Sequence, residues 1–382
     1  MQYQEVTGGV CAPQGFAAAG VHCGIRRNHS KYDLALIKAD VRCAAAGVYT
    51  TNKVCGAPIK VDRAHLADGY AQAILVNSGN ANTCAANGVD LAEECCRLAG
   101  EALGIPAAAA KLAHSAEGSA DAATAIMTTD THPKEYAIRF QLGGVPCTLG
   151  AIGKGSGMIA PNMATMLAFY TTDAAVSPAM LQKALRQVVP GTYNQMSVDL
   201  DTSTNDTLLI LASGLAGNVP IEAEGPDYDA FVDALTAIAE HMCAEHAGDG
   251  EGATHLITCQ VTGAPDLQTA RAVSRSVVCS NLFKAAVFGR DANWGRILCA
   301  IGYTPGDFSI DKVRVWLSSA AGEVYVCENA AYHPYSEEEA AKVLAEHDIL
   351  VRVDMGLGSA SAKAWGCDLT YDYVKINGDY RT

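Results

Sequence analysis

The stretch "KGSGMIAPNMATMLAFYTTDA", residues 154–174, opens with a lysine and a glycine-rich loop and pauses at Pro161-Asn162. It then runs into Met163-Ala164-Thr165-Met166-Leu167, apolar but for one threonine. The loop lacks the Walker spacing G-x-x-x-x-G-K-[ST], and no G-x-G-x-x-G occurs. It is not the G-x-S-x-G elbow of a hydrolase either, because Lys154 stands two residues before Ser156. Ser156 is therefore a poor nucleophile. Two plain readings remain: the glycines serve a tight turn with positive φ, and Thr165 is a core residue bonding a nearby carbonyl. The sharper reading makes Thr165 a nucleophile. A threonine hydroxyl needs a base. Cleavage of the Ala164–Thr165 peptide would supply one, since a new α-amine titrates near pKa 8. The small Ala164 leaves room for attack on its carbonyl.

The 382 residues suggest one large or two unequal domains. With 49% apolar and 18% charged residues the chain can bury a sizeable core. No apolar run is long enough to span a bilayer, and "MQYQEVTGGVCAPQGF" has neither a basic nor an apolar leader region, so a cytoplasmic protein is the default. A net charge of −14 argues against nucleic acid and anionic membranes as partners, though one local lysine can still bind an anionic small molecule. The fourteen cysteines show no C-x-x-C spacing and sit mostly in apolar stretches, which points to free thiols and no metal.

Strand-like and helical segments alternate without repeats or a low-complexity linker. Residues 71–83 read as a strand entering a Gly/Asn loop, 91–104 as a helix, and 140–153 as a hairpin that delivers the loop at 154. Residues 180–189 and 227–248 read as amphipathic helices, the second capped at Asp227. Residues 254–263 and 348–356 read as strands, 336–347 as a helix with a Ser336–Glu339 capping box, and 365–378 as a strand near the C-terminus. The class is mixed α/β, with a boundary near 265 before a smaller C-terminal unit.

The opening stretch resembles the self-cleavage segment of the ornithine acetyltransferase family, the glutamate N-acetyltransferases of arginine biosynthesis. "GFAAAGVHCGIRRN" (15–28), "LVNSGNANTC" (75–84), "AIMTTDTHPKE" (125–135), "DTSTNDT" (201–207), "GDGEGATHLI" (248–257), "FKAAVFGRDANWGRI" (283–297) and "WGCDLTYDYVKINGDYRT" (365–382) resemble further family blocks in order. The resemblance implies an α/β (α+β) fold, a four-layer αββα sandwich over 1–265 with a smaller α/β domain over 266–382. It implies self-cleavage into chains 1–164 and 165–382, assembled as a heterotetramer of two α and two β chains. It implies ping-pong acetyl transfer from N2-acetylornithine to L-glutamate without a cofactor, with Thr165 as nucleophile. Thr128, Lys154, Glu251, Asn377 and Thr382 would bind substrate, with Thr129 a neighbour that could be confused with Thr128. A variant that also uses acetyl-CoA, an N-terminal-nucleophile aminopeptidase and a processed but inactive binding protein are the alternatives.

Three departures stand out. The family's Ser-Thr-Gly stretch, whose Thr and Gly form the oxyanion hole, is absent between "EALGIPA" and "AIMTTDT", with roughly two dozen residues missing. Another group must substitute, or the protein is impaired; Ser115–Gly118 is the first place to look. Leu200 stands where the family tends to have Gly, and His255 where it tends to have Lys.

Overall fold

A computed structural model describes residues 3–103, 113–160 and 166–379. Elements are numbered in chain order. The first sheet holds β1 (Gln4–Glu5), β2 (Phe16–Val21), β3 (Leu34–Tyr49), β4 (Tyr70–Asn77), β5 (Lys134–Leu142), β6 (Val145–Lys154), β7 (Leu167–Thr172) and β9 (Thr207–Ala212). Its order is β1-β5-β6-β7-β9-β3-β2, with β4 also on β3. The second holds β8 (Met196–Ser197), β10 (Leu256–Ala264), β11 (Arg314–Ser319), β12 (Gly322–Glu328), β13 (Ala331–Tyr332), β14 (Asp348–Asp354) and β15 (Ala360–Cys367). Its order is β13-β12-β11-β14-β10-β15-β8. The helices are α1 (Ala57–His65), α2 (Gly88–Leu103), α3 (Ala116–Ile126), α4 (Pro178–Val188), α5 (Pro226–Gly248), α6 (Leu267–Val278), α7 (Asn281–Phe288), α8 (Trp294–Gly302), α9 (Glu337–Val343) and α10 (Tyr371–Asp379).

Period-two alternation gives the first sheet two buried faces. Leu209 and Leu211 of β9 turn to one side and pack with Phe16, Ala18 and the Ala122–Ile126 face of α3. Leu208, Ile210 and Ala212 turn to the other and pack with α4 and α5. The second sheet buries Ile257, Cys259, Val351 and Leu317 against α6, α8 and α9. Helix α5 touches β5 and β6 on one side and β10 and β15 on the other. It is apolar nearly all round, as a helix between two sheets must be. The mixed α/β class, with two sheets and their helices, is the expected one.

Local chemistry explains most elements. The β5–β6 hairpin turns on Gly143 (φ 56°) and Gly144 (φ 85°), the two positive angles of a type I′ turn. Ser336 caps α9 by accepting from the Glu339 N–H at 3.2 Å. Three expectations need correction. Asp227 does not cap α5; Gly225 holds that position, and Asp227 accepts the Gly143 N–H at 2.8 Å, tying the helix start to the hairpin. The last segment is not one strand: β15 stops at Cys367, and the Thr370 hydroxyl accepts the Tyr373 N–H at 3.4 Å to start α10. The boundary at 265 would detach β10 from the sheet in which β14 and β15 flank it. We propose that the two units divide before Leu256, which leaves only the two-residue β8 of that sheet in the first unit.

Leu200 has φ 71°, in the left-handed region that suits glycine, and its side chain is about half exposed. The strain is of order 1 kcal/mol, and little buried apolar area opposes its removal. Leu200→Gly should therefore raise the melting temperature, by a few degrees at most. Calorimetry of the two proteins checks this, and a clear fall would show that the leucine side chain is needed.

Candidate active site

The glycine loop after β6 is stapled along its length by acidic residues. Asp130, its carboxylate buried, accepts from the Thr128 N–H at 2.9 Å, the Gly155 N–H at 2.7 Å and the Lys134 ammonium at 2.8 Å. The same ammonium lies 2.5 Å from buried Asp249. Asp249 also accepts from the Thr131 N–H and hydroxyl, and its carbonyl accepts the Ser156 hydroxyl at 2.7 Å. The Glu251 N–H then bonds the Ser156 carbonyl at 2.9 Å. Asp199 accepts from the Met158 N–H at 2.6 Å and the Ile159 N–H at 2.8 Å, and Thr202 donates to the Ala160 carbonyl at 2.9 Å.

Close approach is the main reason for the glycines. Gly153 and Gly157 do not have positive φ. A Cβ on Gly153 would come within 2.6 Å of the His246 ring, and one on Gly157 would overlap the Glu251 carboxylate. Ser156 is buried and committed to Asp249. Lys154 is the last residue of β6, opposite Leu167, rather than part of the irregular loop.

The structure brings four of the expected residues together. Thr128 and the residue after Lys154 share the Asp130 carboxylate. Glu251 packs on Gly157 and accepts from the Asn377 amide at 2.7 Å. That bond exists because residues 371–379 are helical, which carries Asn377 one turn beyond Tyr373. Ala164, Thr165 and Thr382 lie outside the described residues. The flanking ends of residues 161–165 are fixed, however: Ala160 by Thr202, and Met166 by its carbonyl accepting the Thr207 N–H at 3.0 Å.

Ser115 and Gly118 are not at the site. Ser115 caps the start of α3, and Gly118 lies where a Cβ would meet the Ala18 and Ala113 carbonyls. Thr128 follows the other end of this helix, about 16 Å away at 1.5 Å per residue. His255 is also structural: it is buried, with Nδ1 2.9 Å from Asp368.

Charge is concentrated here. Burial pushes the Lys154 amine down from its usual range, opposed by Asp130 and Asp206 and reinforced by Lys134 and Arg26. Burial alone would raise the Asp130 pKa, but the Lys134 and Lys154 ammonium groups hold it well below the usual carboxylate range. His246 is fully buried beneath Gly153. Its Nδ1 donates to the Met242 carbonyl, and its Nε2 has no partner among the described residues. Among the described residues no group of three or more His, Cys, Asp or Glu side chains could hold a metal ion, and no helix is long and apolar enough to cross a membrane.

Burial, with nearby Lys134, lowers the His246 pKa from 6.5 to about 4. The unfolded chain therefore binds a proton that the folded one refuses between pH 6.5 and 4. This contribution is complete above pH 6.5 and is lost as pH falls through that window, about 3 kcal/mol in all. His246→Phe should flatten this part of the melting-temperature profile, measured from pH 7.5 to 4.5. An equally steep profile in the variant would remove His246 as the cause.

A model of the ArgJ family matches residues 17–115 and 105–382. The arginine biosynthesis bifunctional protein ArgJ of Symbiobacterium thermophilum is 49% identical over 405 positions, covering 99% of each chain. The protein of the same name from Bacillus subtilis is 41% identical and covers 100% of this chain and 98% of its own. The crystal structure of arginine biosynthesis bifunctional protein ArgJ from Bacillus halodurans is 43% identical, with a TM-score of 0.53, covering 56% of this chain and 98% of that one. The 405 positions exceed the 382 residues available, and the two family matches overlap at 105–115. Both point to an internal stretch that relatives have and this chain lacks. With matches reaching from residue 17 to its last residue, the chain belongs to the ArgJ family.

Proposed function

We propose that this protein cuts itself between Ala164 and Thr165 and then transfers acetyl from N2-acetylornithine to L-glutamate through an ester on Thr165. The reading is carried by the stapled loop. One set of hydrogen bonds fixes Thr128, Lys154 and Glu251, while Thr202 and Thr207 fix both ends of the segment containing Thr165. The share of this chain matched by the Bacillus halodurans structure, 56%, is also close to that of residues 165–382, which are 218 of 382.

The Thr165 hydroxyl attacks the acetyl carbonyl, and its own α-amine takes the hydroxyl proton. That proton passes to the leaving nitrogen, and ornithine departs. The glutamate α-amine then attacks the acetyl ester, and the threonine oxygen regains a proton. An amide is exchanged for an amide, so no activated donor is required. Lys154 takes the substrate α-carboxylate, whose negative charge offsets the desolvation that depresses the lysine pKa. Glu251, oriented by Asn377, takes the ornithine side-chain ammonium. Thr128 and Thr382 complete the pocket, and two α and two β chains form the heterotetramer. The relatives' name, bifunctional, favours acetyl-CoA as a second donor. The missing internal stretch favours a different reading, a processed binding protein that turns over poorly.

Denaturing mass spectrometry should find chains 1–164 and 165–382, the second beginning Thr-Met-Leu-Ala-Phe. Thr165→Ala should stay whole. A wild-type preparation that remains one chain would sink the nucleophile assignment.

Labelled acetyl should pass from acetylornithine to glutamate at least about a hundredfold more slowly than in a relative carrying the Ser-Thr-Gly stretch, the cost of losing one oxyanion donor. Inserting that stretch between Ala110 and Lys111 should restore the rate. Family-like turnover of the unaltered chain would refute the deficit and place the donors among groups already present.

A further inference from the structure

Two cations meet at this site: Lys154 has Asp130 and Asp206 as counter-charges, whereas the Arg26 guanidinium makes no ion pair among the described residues. They are close enough for the two charges to repel.

Arg26 is a built feature. Its backbone N–H bonds buried Asp33 at 2.9 Å, and the Cys23 N–H bonds the other oxygen of that carboxylate at 2.7 Å. Burial would raise the Asp33 pKa, but the N–H groups of Arg26 and Cys23 outweigh it and bring the value down to about 2, so this anchor stays charged. The arginine stem crosses Gly79, where a Cβ would overlap it. The Nη2 group donates to the Ser78 hydroxyl at 2.9 Å and to the carbonyl of Met127, the residue before Thr128. The Nε donor is buried with no partner among the described residues. A half-buried guanidinium held beside Thr128 with a donor unspent and no acid of its own is arranged for a carboxylate from outside.

The two substrates of the proposed reaction differ in this respect. Both carry an α-carboxylate, which Lys154 takes in each half-reaction. The ornithine side chain ends in an ammonium, and the glutamate side chain ends in a second carboxylate. We propose that Arg26 binds the side-chain carboxylate of the acceptor glutamate and so selects a dicarboxylic amino acid over a neutral one. The assignment rests on the acetyl-transfer reading. It explains why a site that attracts an ammonium with Glu251 also accepts an acid: the guanidinium supplies the opposite charge from a different segment of the chain.

Titration calorimetry of the wild-type protein, Arg26→Met and Arg26→Lys with glutamate, glutamine and ornithine tests this without requiring turnover. The wild type should bind glutamate more tightly than glutamine. Arg26→Met should weaken glutamate roughly tenfold or more, the worth of one charge-assisted pair, while glutamine and ornithine change about twofold or less. Arg26→Lys should fall between, because it keeps the charge and loses the fork. Retained ornithine binding shows that the variant site is intact. Equal weakening of all three ligands, unchanged glutamate binding, or no wild-type preference over glutamine would overturn the Arg26 assignment alone. A wild-type protein that binds neither glutamate nor ornithine would overturn the acetyl-transfer reading, and this assignment with it.

Discussion

Lys134, buried between Asp130 and Asp249, is the interaction on which the site depends. Burying three charges is expensive, and such a cluster persists when its remaining donors and acceptors are used. Here they are: Thr128 and Gly155 complete Asp130, and Thr131 completes Asp249. The bonds pin residues 128–134, 153–157 and 249–251 to one point. They also explain the chemistry around it. The loop carries glycine where His246 and Glu251 press against it, and His246 stays neutral because a protonated ring would be buried near Lys134.

The residues proposed to meet substrate were legible because they lie in long blocks that resemble a family. Those that hold them were not. Lys134 and Asp249 are 115 residues apart, and no local pattern announces their pairing. His246 sits in an apolar helix and has the spacing of a core residue. Its depressed pKa comes from burial and tertiary neighbours that a sequence does not display. Nothing in the sequence distinguishes Arg26 from its neighbour Arg27; the packing of its stem on Gly79 and the Asp33 anchor do. The amphipathic α4 was readable from its periodicity; α5 was readable as a helix, but it is buried on two sides and not amphipathic as expected. The C-terminal "YDYVKING" was not readable: its aromatic and β-branched residues suit a strand, but the Thr370 cap starts a helix there, and that helix brings Asn377 to Glu251.

Helix α3 separates two issues that adjacency in sequence had merged. The stretch missing relative to other family members falls near its start, and Thr128 follows its end. The helix is secured by its own residues: Ser115 caps it, and Ala122, Ala123, Ala125 and Ile126 are buried against the first sheet. The loss is therefore compatible with an intact support for Thr128. On the acetyl-transfer reading, the loss would cost oxyanion donors and leave this scaffold in place.

Strand β6 lies before the proposed cut and β7 after it, yet they are neighbours, paired from Leu149↔Thr172 to Lys154↔Leu167, with β9 on the far side of β7. A cut at 164/165 would leave one sheet woven from two polypeptides. The ladder and the shared core would keep them together in the native state. Recovery from denaturation would be another matter, because pieces that first folded as one chain would have to find each other by diffusion. Dilution would then oppose refolding but not the original folding. The durability of the cut protein would be governed by how slowly its central strands part, a rate rather than an equilibrium.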